Sequence, residues 1–134
     1  DSYFPENMLP IEKAGLLRLV NEDMYIAPEV ELRLYNGHTV GQIAPYFHSG
    51  DKTLVYTGDV IPFLAAMSIA WVSAYDTYPI TSMEDKERLL HEAVEKKQIL
   101  FFEHDVYNEC CTVKNINGKY RADEILQLKD IKQQ

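Results

Sequence analysis

The chain is poor in cysteine, in basic residues and in long apolar runs, and each shortage excludes a class of protein. Its two cysteines are the neighbours Cys110 and Cys111, so no disulfide framework staples the fold. Adjacent residues on a strand point to opposite faces, which places one thiol inward as a small hydrophobe and the other outward. A vicinal disulfide and a thiolate metal ligand are the other uses such a pair allows. Free thiols point to a reducing compartment, and the expected location is cytoplasmic. Lys and Arg number 13 against 21 Asp and Glu, a net charge of −8. Without clustered cations, nucleic acid is not an expected partner. No apolar run approaches the roughly 18 residues of a membrane helix, so no membrane partner is expected either. The sequence opens on Asp1 with no leader pattern of basic and then apolar residues. The reading is that the chain begins in the middle of a longer protein.

What is present is ordinary globular material: 46% hydrophobic and 25% charged residues over 134 positions, enough apolar surface for one core. No internal repeat, linker or low-complexity tract divides it, so residues 1–134 read as a single α+β domain of strands with few helices. Residues 5–14 read as a short helix interrupted by Pro10 and stopped by Gly15. Leu16–Val20 and Met24–Ile26 read as short strands. Val30, Leu32 and Leu34 alternate with Glu29, Glu31 and Arg33, the period of a half-buried strand. Gln42–His48 and Thr53–Tyr56 read as strands joined at Ser49-Gly50-Asp51. Residues 62–80 lack a clean period and read as a short helix followed by irregular structure. Thr81–Lys97 is the clearest helix, with Thr81 and Ser82 as capping oxygens and Met83, Leu90 and Val94 on one stripe. Gln98–Phe102 is continuously apolar, as in a strand buried on both faces. Asn117-Gly118 between two β-rich runs is the strongest hairpin signal.

The informative pattern is where polar residues fall at strand ends. ELRLYNG runs into His38, TLVYTG into Asp59 and ILFFE into His104, with Asp105 next. Rigid strands position short loops, and functional groups collect there. Imidazole nitrogen and carboxylate oxygen suit zinc or iron, and a carboxylate can also join two ions. Metal-bound water is acidified to a pKa of roughly 7, which supplies a nucleophile at neutral pH. Each fragment alone is commonplace: a histidine after a strand is an ordinary turn residue, and Gly58-Asp59 is an ordinary turn. Their order and spacing as a set are less ordinary. His48 and His91 read as solvated. Trp71, Tyr75 and Tyr78 read either as packing or as a pocket wall, and Asp105 either bonds a ligand histidine or caps a turn.

The set Gly37-His38-Thr39-Val40-Gly41, Thr57-Gly58-Asp59 and Phe101-Phe102-Glu103-His104-Asp105 resembles the second half of metallo-β-lactamase-fold hydrolases. The likeness runs over about residues 5–116 and takes in Ala74-Tyr75-Asp76-Thr77 and Tyr107-Asn108-Glu109-Cys110-Cys111. It implies one half of an αβ/βα sandwich, a mixed sheet with a few helices. It implies a dinuclear site, zinc first and iron or manganese as alternatives, in which His38 ligates one ion, His104 the other, and Asp59 bridges both as the residue on which catalysis turns. Thr39 or Glu103 is the expected support for the imidazoles. The implied activity is hydrolysis of an ester, lactone or related acyl bond in a small-molecule substrate. Two departures accompany the likeness: Gln42 replaces the second histidine of GHTxGH, and no H-x-H-x-D-H motif occurs. The expected partner is therefore the missing N-terminal half, which carries that motif. The quorum-signal lactonases of the family place a tyrosine where this chain has Pro62. By itself the chain is expected to hold no dinuclear site, to turn over little substrate and to form a homodimer through its uncovered sheet face. The alternative reading is a non-catalytic binding or assembly domain that keeps the fold without the metal site.

Overall fold

The computed structural model describes residues 4–131; Asp1, the basis of the reading that the chain starts mid-protein, lies outside them. The helix α1 (Pro5–Lys13) comes first, followed by the strands β1 (Met24–Ala27), β2 (Val30–Tyr35), β3 (Gln42–Ser49) and β4 (Lys52–Tyr56). The long helix α2 (Pro79–Glu95), the strand β5 (Ile99–Phe101) and the hairpin β6 (Cys110–Ile116) and β7 (Lys119–Leu126) complete it. The seven strands form one sheet in sequence order. Every pairing is antiparallel except β4 with β5. Parallel neighbours need a crossover, and α2 provides it.

Register assigns the side chains to faces. Tyr35 lies opposite Gln42, Arg33 opposite Ala44, Tyr46 opposite Val55, Val55 opposite Leu100, and Leu100 opposite Cys111. This face lies under α2, whose Leu89, Leu90 and Ala93 are fully buried. Truncating Leu90 to alanine would cost about 2–5 kcal/mol. Polar groups fasten the same interface. Arg33 bonds Glu31 at 2.8 Å and Glu92 at 2.5 Å, and Arg88 stacks 4.3 Å above the Tyr35 ring. The Tyr35 and Tyr46 hydroxyls share a hydrogen bond of 2.6 Å in the core. Burial and the Tyr46 neighbour push Tyr35 far above the usual phenol range.

The opposite face carries Leu34 and Ile43, Leu32 and Pro45, Phe47 and Leu54, and Tyr56 and Phe101 as paired neighbours. It is apolar and incompletely covered: Phe47 is 42% exposed and Ile43 36%.

Several sequence expectations need correction. Leu16–Val20 is not a strand; it leaves the outer edge of β1 unpaired, and Leu16 and Leu19 face solvent. Pro10 does not interrupt α1, which continues to Lys13; Glu6, whose carbonyl loses its partner, is exposed and open to water. The helix α2 starts at Pro79 rather than at Thr81, because proline is suited to the first helical position, and Ser82 lies buried inside the helix. Both cysteines are buried, Cys110 as well as Cys111. They lie on opposite faces, and Leu128 and Ile131, beyond β7, line a cleft with Ile99 and Leu54 on the face of Cys110. His48 is not simply solvated: its ring bonds Thr53 Oγ1 at 3.0 Å and Glu31 Oε2 at 3.3 Å. The Asn117-Gly118 turn takes positive φ at both residues, as a tight hairpin requires.

Candidate metal centre

Three chain segments converge at the ends of β2, β4 and β5. His38 follows β2 in a loop locked to the start of α2. Both the Asn36 and Gly37 N–H groups donate to Asp85 Oδ2, at 2.8 and 2.9 Å. In return the N–H groups of Thr77 and Tyr78 donate to the His38 and Gly37 carbonyls at 2.9 Å. Gly37 lies so close to Ser82 that a Cβ there would overlap the Ser82 backbone. Glycine at 37 is therefore a condition of close approach.

Asp59 lies in a 3-10 turn over Gly58–Val60 directly after β4. Gly58 holds φ at +50° there, with the Gln42 amide beneath it. Buried Thr57 pins the turn, its Oγ1 donating to the Ile61 carbonyl at 2.7 Å. His104 follows β5 and is anchored by its N–H to the Pro62 carbonyl at 2.9 Å.

These anchors bring the two imidazoles to opposite oxygens of one carboxylate. His38 Nε2 is 3.5 Å from Asp59 Oδ2, and His104 Nε2 is 3.2 Å from Asp59 Oδ1. Both separations exceed the roughly 2.7–2.9 Å of a charge-assisted N–H···O bond. The first matches the roughly 3.3–3.5 Å between two donors on one tetrahedral ion with bonds near 2.0–2.2 Å, and the second falls just short of it. His38 Nδ1, by contrast, is 2.8 Å from Asp76 Oδ1. A carboxylate only accepts, so in neutral His38 the proton is on Nδ1 and the Nε2 lone pair faces Asp59. A lone pair set against a carboxylate is repulsive until a cation comes between them. The donor types and spacing fit a transition-metal ion.

Asp76 thus takes the orienting role expected of Thr39 or Glu103. Its side chain is 8% exposed, and its other oxygen accepts from the Ser73 N–H at 3.3 Å. Only the similarity of the Ala74–Thr77 tract had pointed toward it. Asp105 caps a turn: it accepts from the N–H groups of Leu64 at 3.0 Å and of Tyr107 and Asn108 at 2.9 Å. Burial opposes its charge, but those donors prevail and hold its carboxyl below the usual range. Glu103 joins Asp59 and His104 in a group whose ligand atoms lie within 4.8 Å of one another. Burial, with the Glu103 carboxylate close by, raises the Tyr56 phenol.

A cleft of about 530 Å³ opens over the three residues, bounded by Pro62, Phe63, Trp71, Ser73 and Tyr75. Trp71 and Tyr75 therefore belong to the wall of the cleft, whereas Tyr78 precedes α2 and is not part of it. Phe63 meets Trp71 edge-on at 5.2 Å. Lys86, buried within α2, donates to the Trp71 carbonyl at 2.6 Å and holds that wall in place. His91 is exposed, away from the site.

No protein-family model matches the sequence, and no curated protein matches it significantly. Solved structures do. A probable metal-dependent hydrolase from Staphylococcus aureus superposes with a TM-score of 0.72 at 25% identity, over 85% of this chain and 42% of that one. A dizinc quorum-quenching lactonase, solved with its product, gives 0.69 at 18% identity over 91% and 42%. A hydrolase of the β-lactamase superfamily gives 0.70 at 15% over 92% and 43%. The chain spans less than half the length of these structures. It has the metallo-β-lactamase fold, to an extent that fits the C-terminal half.

Proposed function

We propose that this chain is the C-terminal half of a metal-dependent hydrolase that cleaves an ester, lactone or related acyl bond in a small-molecule substrate. One observation carries the reading: the two oxygens of Asp59 face two different histidines at distances suited to shared cations. His38 and His104 would each hold one ion, zinc first and iron or manganese as alternatives, and Asp59 would bridge them. When bound, such ions supply Lewis acidity and a nucleophile at neutral pH.

The chain's own residues do the rest. Asp76 holds His38 in the tautomer that presents Nε2, the kind of support that ligand histidines need. The apolar wall of Phe63 and Trp71 suits the acyl portion of a substrate. Pro62 offers no hydroxyl to a substrate carbonyl, which favours a general acyl substrate over a quorum-signal lactone. The lactonase structures among the neighbours hold acyl-homoserine products, which supports the broad acyl class but not the quorum-signal lactone itself.

The remaining ligands would come from the N-terminal half, which would also cover the open face around Leu34, Ile43 and Phe47. Exposed apolar patches of this kind seek partners, and the isolated chain would pair through this face as a homodimer with little turnover. Sedimentation of the isolated chain as a stable monomer at micromolar concentration would remove the dimer from the proposal.

The test of function is metal analysis and an esterase assay on the full-length protein. Bound transition metal, with hydrolysis lost in His104→Ala, is the expected result. Absence of transition metal together with activity indifferent to His104→Ala would overturn it.

A further inference from the structure

We infer that Glu103 is a third donor beside Asp59 and His104, and that these three side chains form a one-ion site for a divalent transition metal within this chain alone. The inference rests on the reading above of Asp59 and His104 as ligands and adds a residue to which that reading gives no role. A ligand atom of each residue lies within 4.8 Å of the other two. Donors on one tetrahedral ion stand roughly 3.3–3.5 Å apart, so closure needs side-chain movements of up to about 1.5 Å. Glu103 and His104 are exposed, and such movement meets little resistance.

The backbone already directs Glu103 toward the site. Phe102 N–H donates to the Glu109 carbonyl and His104 N–H to the Pro62 carbonyl, both at 2.9 Å, so the residues on either side of Glu103 are fixed. A Cβ built on Gly58 would stand 3.8 Å from Glu103 Oε2. The carboxylate therefore lies over the Gly58-Asp59 turn. Two carboxylates and a neutral imidazole carry a charge opposite to that of a divalent cation. His38 is outside this set, held on the far oxygen of Asp59 by its bond to Asp76. The count of ligands changes accordingly: His38, Asp59 and His104 spread over two positions leave each ion short, whereas three donors at one position with a water approach the four that zinc takes.

The experiment is titration of the purified chain with Co²⁺, followed by visible absorption and calorimetry, with thermal unfolding confirming that each variant is folded. One ion per chain is expected, weakened by about tenfold or more in Glu103→Gln and in His104→Ala, and changed by less than about threefold in His38→Ala. Failure of the unaltered chain to bind Co²⁺ would overturn the inference, as would an unchanged affinity in Glu103→Gln. If Glu103→Gln is silent while His38→Ala and His104→Ala both weaken binding, the ion sits on the two histidines and Asp59. That result removes Glu103 and leaves the proposed function standing. Failure of the proposed function would instead appear in the full-length protein, as metal-free material with activity indifferent to His104→Ala.

Discussion

Replacing Asp76 by alanine tests the chemistry of the site without any metal present. In the structure His38 Nδ1 is 2.8 Å from Asp76 Oδ1, and the carboxylate is 8% exposed. A hydrogen bond to a charged group at such a site is worth about 1.5–3 kcal/mol. At about 1.4 kcal/mol per factor of ten, it biases the His38 tautomers by roughly 10- to 100-fold toward Nδ1–H. Long-range proton–nitrogen spectra of the histidine rings, at a pH of about 8 where an ordinary imidazole is neutral, read this ratio directly. His38 is expected almost wholly as Nδ1–H in the unaltered chain and as a mixture in Asp76→Ala. In the full-length protein the same substitution should cost about 10- to 100-fold in metal affinity, the usual consequence of losing the partner of a ligand histidine. Finding His38 mainly as Nε2–H in the unaltered chain would refute the reasoning, because Nε2 could not then offer its lone pair to a cation.

Other expectations follow from the same geometry. Asp85→Ala removes the acceptor of the Asn36 and Gly37 N–H groups and should cost about 2–4 kcal/mol in urea unfolding; a loss under about 0.5 kcal/mol would mean the loop is held by other contacts. Burial pushes the Cys110 thiol up to about 11 and the Cys111 thiol up to about 12, so neither should react with Ellman's reagent at pH 8 until denaturant is added. Rapid native labelling would contradict their burial. Asp105, Glu31 and Glu92 ionise below the usual carboxyl range. Asp105 is held there by backbone donors against burial, Glu31 chiefly by the Arg33 hydrogen bond, and Glu92 by Lys96 and Arg33 against burial. Because the folded values are depressed, their stabilisation is complete above the unfolded carboxyl range, near pH 4, and is lost as pH falls through the lower folded values. The urea midpoint should therefore fall steadily as pH drops below about 5, and a flat profile would count against these bonds.

The parts of this molecule that could be read from its sequence are those encoded locally. Asn117-Gly118 specifies its own turn, and the alternation around Arg33 specifies β2, although the face set against α2 is the one carrying Glu31 and Arg33 rather than Leu32 and Leu34. His38, Asp59 and His104 stood out because each ends an apolar strand, and a sheet brings strand ends together. Asp76 carried no such signal: it lies in an irregular segment and reaches His38 across 38 residues. Lys86 was equally silent, since a lysine in an amphipathic helix normally faces water, whereas here carbonyls of the 68–71 segment draw it inward. Glu103 is one residue from a candidate ligand, but only the fold brings its carboxylate over the Gly58-Asp59 turn. Leu16–Val20 failed as a strand because apolar composition alone does not bring a segment into a ladder, and these residues leave the edge of β1 unpaired.

The proposed site stands on a carboxylate shared between two imidazoles that are spaced for cations. Anomalous X-ray diffraction at the zinc edge, from crystals of the full-length protein grown with zinc, measures that directly. The expected result is anomalous density within about 2.0–2.2 Å of His38 Nε2, His104 Nε2 and the Asp59 oxygens. Crystals with no anomalous density near Asp59, and with both histidines hydrogen-bonded to it through Nε2–H, would contradict the account.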